Sequence, residues 1–122
     1  FYFTKDRFIN TLKSAFYDPN TVTDNTAEGY YMPLQIQGWQ DSLTGISRDI
    51  GKSALPLPLS NLKLPVLIIW GFKDPWISID QGKSLQTKLK NSTFAEISDS
   101  GHLPMEENPH EFNNVLWSFL SK

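Results

Sequence analysis

Two segments of this 122-residue sequence hold residue types that can move a proton. The first is Trp70-Gly71-Phe72-Lys73-Asp74-Pro75. The second is Ser100-Gly101-His102-Leu103-Pro104-Met105-Glu106. A carboxylate beside an imidazole accepts its Nδ1–H, fixes the tautomer, leaves Nε2 as a base and stabilises the imidazolium that forms. Taken singly, each residue has a plainer explanation. Asp74-Pro75 is a turn signal in its own right, and a loop histidine is commonly just solvated. Position lifts the pair, because each segment directly follows a predicted strand. In an open α/β sheet the functional loops lie beyond the carboxyl ends of the strands, and parallel neighbours run about 4.8 Å apart. If the two strands are adjacent, Asp74 and His102 emerge side by side, with Gly71 and Gly101 permitting the turns.

The elements that must place them follow from pattern. Val66-Leu67-Ile68-Ile69-Trp70 is apolar without alternation, as in a strand buried on both faces of a parallel sheet. Ser78 to Lys90 reads as a helix with Ile79, Gly82, Leu85 and Leu89 inward, and Thr93 to Ile97 as a second strand. Asn108 caps a last helix. Pro109 suits its first turn, Glu111 completes a capping-box-like pair, and Phe112, Val115, Leu116, Phe119 and Leu120 form its apolar stripe. Strand, helix, strand, helix predicts a parallel α/β unit with a right-handed crossover. Two parallel strands do not make an independently stable sheet, so further strands or a second copy are expected at the open edge.

The first half is helical. Thr4 caps a helix with Phe8, Leu12, Ala15 and Phe16 on one face, and Asp18-Pro19-Asn20 stops it. Thr23 caps a second helix over 24–32, weakened by Gly29 and ended by Pro33. Trp39, Leu43, Ile46 and Ile50 make a third, closed by Gly51. Residues 52–63, with their prolines, read as an extended linker.

The segments Leu64 to Asp74 and Ser100 to Pro109 resemble the penultimate strand with its acid loop, and the catalytic-histidine loop, of α/β-hydrolases. The resemblance covers most of residues 55–122. The helices of residues 1–50 are similar to the back of the lid inserted ahead of that strand in epoxide hydrolases, haloalkane dehalogenases and carbon–carbon bond hydrolases. The implied domains are a helical lid at 1–51, the linker at 52–63 and the carboxyl-terminal part of the α/β core at 64–122. By this resemblance Asp74 matches the triad acid and His102 the base of a cytoplasmic enzyme that needs no cofactor. The family's nucleophile, commonly Ser in Gly-x-Ser-x-Gly, precedes the lid. No such motif stands in this sequence; Gly45-Ile46-Ser47-Arg48-Asp49 ends in Asp and sits in a predicted helix, so Ser47 reads as structural. The expectation is a carboxyl-terminal fragment, starting within the lid at Phe1, that supplies the acid and the base without the nucleophile and is inactive alone.

Trp76, Leu103 and Trp39 are candidates for the wall of a substrate pocket, with Tyr30 and Tyr31 as further aromatics; packing on the core is the competing role, evenly matched for Trp76 and favoured for Trp39. His102, Glu106, Glu107 and His110 lack zinc-protease spacing, and acids at a helix start suit the helix dipole, so no metal is expected. Lys73 reads as a solvated charge.

Composition sets the outer bounds. With 39% hydrophobic residues, 20% charged and a formal net charge of −2, the chain suits one folded domain and not a nucleic-acid binder. The absence of cysteine excludes a Cys nucleophile on this chain. The apolar run at 64–70 is far short of the about 20 residues that cross a bilayer. The expected partners are a small, fairly apolar substrate and either the amino-terminal half of the fold or a second copy at the sheet edge. The competing function is a non-catalytic half-fold that self-associates or binds a ligand or partner chain.

Overall fold

The computed structural model describes residues 4–50 and 59–121. Its helical half begins with α1 (Lys5–Ala15). There Thr4 Oγ1 accepts the Arg7 N–H at 3.3 Å and Asp6 lies in the positively polarised first turn. Asp18 then accepts the Asn20 N–H at 2.9 Å, and Pro19–Thr21 makes a single 3-10 turn. Thr23 caps α2 (Asp24–Tyr31) through the Thr26 N–H at 3.1 Å. Pro33 does not end the winding. Met32–Gln35 tightens into a 3-10 turn with that proline in its first positions, where the missing N–H leaves no broken bond. α1 and α2 enclose a small core of Leu12, Ala15, Phe16, Val22 and Ala27.

The third helix, α3 (Trp39–Asp49), starts from Gly38, the one described residue with positive φ, at 86°. Its apolar positions do not form the buried face their spacing predicts. Ile46 is 62% exposed and Ile50 74% exposed, and no residue of α3 is buried. Among the described residues the helix packs mainly on the Met32–Gln35 turn, so the periodic row has little to pack against there. Gly51 and linker residues 52–58 lie outside the described residues; 59–61 form a 3-10 turn.

In the second half β1 (Val66–Gly71) pairs in parallel with β2 (Ser92–Ile97), Val66 opposite Ser92 through Gly71 opposite Ile97. Side chains alternate across this ladder. Trp70 and Phe94 meet α4 (Ile79–Lys88) where Gly82 lets the helix come close: a Cβ there would stand 2.6 Å from the Trp70 ring. Lys83 of α4 pairs with Glu96 of β2 at 2.8 Å on the same side. Leu67, Thr93 and Ala95 face Val115 and Phe119 of α6 (Pro109–Leu120). The sheet is thus layered between helices, as expected, with two strands among the described residues. Full burial of both faces is not reached: within β1 only Ile68 and Gly71 are buried. Asn108 caps α6 by accepting the Glu111 N–H at 3.3 Å, and its amide donates to the Glu111 carboxylate at 2.8 Å. The last helix therefore starts as the capping-box pattern predicts, with the return bond made by a side chain. Its stripe stays mostly half-buried, and Leu120 is 66% exposed. No described helix is long and apolar enough to cross a membrane.

Candidate active site

The ladder continues past the strands. Phe72 donates its N–H to Ile97 O at 2.9 Å and Lys73 to Ser100 O at 2.9 Å, so the two loops leave the sheet locked together. The approach is too close for side chains: a Cβ on Gly71 would lie 1.8 Å from Gly101 O, and one on Gly101 would lie 2.6 Å from Ala15 O. Neither glycine has positive φ. Turn geometry, the reason suggested by sequence, is therefore not what requires them; backbone contact is.

Beyond this point Asp74 and His102 meet. Asp74 Oδ2 and His102 Nδ1 are 2.9 Å apart, with the Asp74 side chain 5% exposed and the imidazole 30% exposed. The other carboxylate oxygen, Oδ1, accepts the N–H groups of Trp76 at 2.8 Å and Ile77 at 2.9 Å. An ionised carboxylate only accepts, so it selects the tautomer with the proton on Nδ1. Nε2 has no hydrogen-bond partner among the described residues, and His102 lines a small cleft with Ile69, Gly71, Ile77 and Pro104. This is the geometry of an oriented base: the carboxylate is fixed by two backbone donors, and the ring is fixed by the carboxylate.

The pocket candidates separate. The Trp76 ring lies against His102, with centroids 5.0 Å apart, and its Nε1–H donates to Ser14 Oγ at 3.1 Å. Leu103 packs on the α1–α2 core. Trp39 lines a separate groove with Pro33, Ile36 and Leu43, and the structure does not bring it to the Asp74–His102 cleft. Tyr30 donates to Glu106; burial, with help from that carboxylate, pushes the phenol up to about 12. Tyr31 sits beside Phe8 and under the Lys5 ammonium. Lys73 is not simply solvated, since its ammonium lies 5.4 Å from the Phe72 ring and 5.9 Å from that of Tyr17. Ser47 lies in α3, the helix in which the sequence places it.

One residue weighed in the sequence only as a metal ligand or a helix-dipole acid has a different role in the structure. Glu107, the last residue of α5 (Pro104–Glu107), accepts the Tyr17 N–H at 2.7 Å, the Gly101 N–H at 2.8 Å and the Leu103 N–H at 3.2 Å. Its place just before Asn108-Pro109 suggests only an acid at a helix start. A hint was present, since a loop with backbone contacts this close leaves amides that need acceptors.

No family model matches the chain. Similar curated proteins are hydrolases. An uncharacterised hydrolase of Bacillus subtilis (strain 168) is 26% identical over 96% of this chain and 43% of its own length. A 2-hydroxy-6-oxononadienedioate/2-hydroxy-6-oxononatrienedioate hydrolase of Paraburkholderia phymatum is 34% identical over 98% of this chain and 42% of its own length. The chain thus spans under half the length of these relatives. Among solved structures, a serine hydrolase involved in carbazole degradation superposes with a TM-score of 0.85 at 19% identity, covering 99% of this chain and 48% of the other. A meta-cleavage product hydrolase from Pseudomonas fluorescens IP01 does so with a TM-score of 0.82 at 22% identity, covering 99% and 47%. At these identities the superpositions speak for the fold.

Proposed function

We infer that this chain, whose fold and relatives are those of the α/β-hydrolases and which corresponds to the carboxyl-terminal half of that fold, contributes the acid–base pair of a hydrolase acting on a small organic substrate. The observation that carries this reading is the 2.9 Å contact between Asp74 and His102 beyond the carboxyl ends of two paired parallel strands. In this reading Nε2 of His102 takes the proton of a serine nucleophile as it attacks, then returns it to the leaving group. With an aspartate nucleophile, Nε2 would instead deprotonate the water that cleaves the covalent ester. Asp74 holds the ring and stabilises the imidazolium in both cases. The nucleophile comes from outside these 122 residues, so the chain alone does not turn over. Residues 1–51 act as part of a lid over the cleft, with Trp76 as an apolar wall. Relatives named as 2-hydroxy-6-oxononadienedioate/2-hydroxy-6-oxononatrienedioate hydrolases favour a small organic substrate, and carbon–carbon bond hydrolysis is among the candidate reactions.

The test is hydrolysis of a panel of aryl esters and ring-cleavage products by a protein that joins this chain to a nucleophile-bearing segment. Activity lost in His102→Gln with the fold retained supports the reading. Activity kept in that variant, or comparable turnover by the chain alone, counts against it.

A second reading is association of copies through the sheet, favoured by the two-strand sheet and by half-exposed apolar residues on both of its sides. An open parallel edge is a template for pairing. Light scattering on the purified chain tests it: a dimer supports it, and a monomer at high concentration contradicts it.

A further inference from the structure

We propose that Glu107 is the positioning residue of His102: one carboxylate grips the backbone on both sides of the histidine and the chain just past α1, and so sets where the imidazole stands. The inference rests on the reading of Asp74 and His102 as an acid–base pair. Oε1 accepts the N–H groups of Gly101 at 2.8 Å and Leu103 at 3.2 Å, while Oε2 accepts that of Tyr17 at 2.7 Å. The amide between them, that of His102 itself, donates to Ala15 O at 2.8 Å. Three successive amides of the histidine loop therefore alternate between Glu107 and the end of α1. A carboxylate has room for three donors and binds them more strongly than a neutral acceptor does. The ring itself is steered by Asp74 at Nδ1 and by the tilted Trp76 ring beside it, so its remaining freedom is that of the loop backbone. A misplacement of about 1 Å at a reacting group can cost about 100-fold in rate. The clamp also makes the helical half part of the site's foundation, because Tyr17 and Ala15 belong to that half.

Glu107→Gln keeps the size and one acceptor oxygen but turns an amide N–H2 towards backbone donors. Hydrogen exchange in the full chain, measured by NMR, reads the result. Expected is about tenfold faster exchange at one or more of the Tyr17, Gly101 and Leu103 amides, with faster exchange of the His102 Nδ1 proton. The Trp76 and Ile77 amides, held by Asp74, stay as in the parent. Unchanged exchange at the three amides and at Nδ1 overturns the proposal. So does a uniform acceleration that includes Trp76 and Ile77, or loss of the folded spectrum, since either makes Glu107 a general prop of the fold. Glu107→Ala gives the same local pattern more strongly if it folds. The readout is independent of turnover, so an active His102→Gln protein would sink the acid–base reading without touching this result.

Discussion

The indole of Trp76 lies against the imidazole of His102, with ring centroids 5.0 Å apart and planes inclined by 45°. The same indole donates to Ser14 Oγ at 3.1 Å, so α1 holds the wall that holds the histidine. Trp76→Leu should remove the ring-current shift on the His102 ring protons, and Trp76→Phe should keep most of it. Aromatic pairs are worth about 0.5–1.5 kcal/mol beyond their buried area, and with Trp76 48% exposed the lower end applies. Two-dimensional NMR of the two variants checks this; identical His102 shifts in the parent and in Trp76→Leu would refute the contact.

Gly71→Ala should destabilise the chain by about 3 kcal/mol or unfold it, since the new methyl meets backbone oxygens of Gly101 and Ser100 that cannot step aside. Gly45→Ala, within α3 where a Cβ meets nothing within 4 Å, should instead stabilise by about 0.5–1 kcal/mol. Urea unfolding of both variants separates a glycine required by contact from one that is merely tolerated. A mild effect at Gly71 would contradict the close approach of the two loops.

Much of the scaffold was legible because it depends on local rules. Thr4, Thr23 and Asn108 cap the helices their positions predict, and residues 66–70 form the strand beside 92–97. The meeting of Asp74 and His102 was legible for the same reason, as each sits just after a recognisable strand and parallel pairing does the rest. Glu107 reads in the sequence as a helix-start acid and its clamping role is not legible there, because that role lies in reaching Tyr17 and the histidine loop, and no spacing rule encodes that contact. The α3 row failed in the opposite sense. Periodicity marks a face that seeks burial, yet Ile46 and Ile50 remain exposed among the described residues. Local pattern specifies the face and tertiary context its partner.

The Ser100 side chain is fully buried, and its Oγ has no hydrogen-bond partner among the described residues. A buried hydroxyl left unsatisfied costs about 1–3 kcal/mol. Ser100→Ala should therefore be neutral or raise the thermal midpoint; a clear drop would mean that the hydroxyl is bonded in solution.

Tyr30, pushed up to about 12 by burial first and by the bond to Glu106 second, keeps its proton in the folded state at pH values where the unfolded phenol, near 10, loses it. Its contribution is therefore complete below about pH 10 and disappears as pH rises through about 12. Thermal melts between pH 9 and 12 should fall more steeply for the parent than for Tyr30→Phe. Parallel curves would show that the phenol is not held in this way.

The account turns on whether the Asp74–His102 contact works in catalysis. Its most direct test is the rate of substrate hydrolysis by a protein in which this chain is joined to a nucleophile-bearing segment, compared with Asp74→Asn and His102→Gln. The account predicts that each variant keeps its fold and loses about 10⁴-fold in kcat. Variants that fold and turn over within a few-fold of the parent would contradict it.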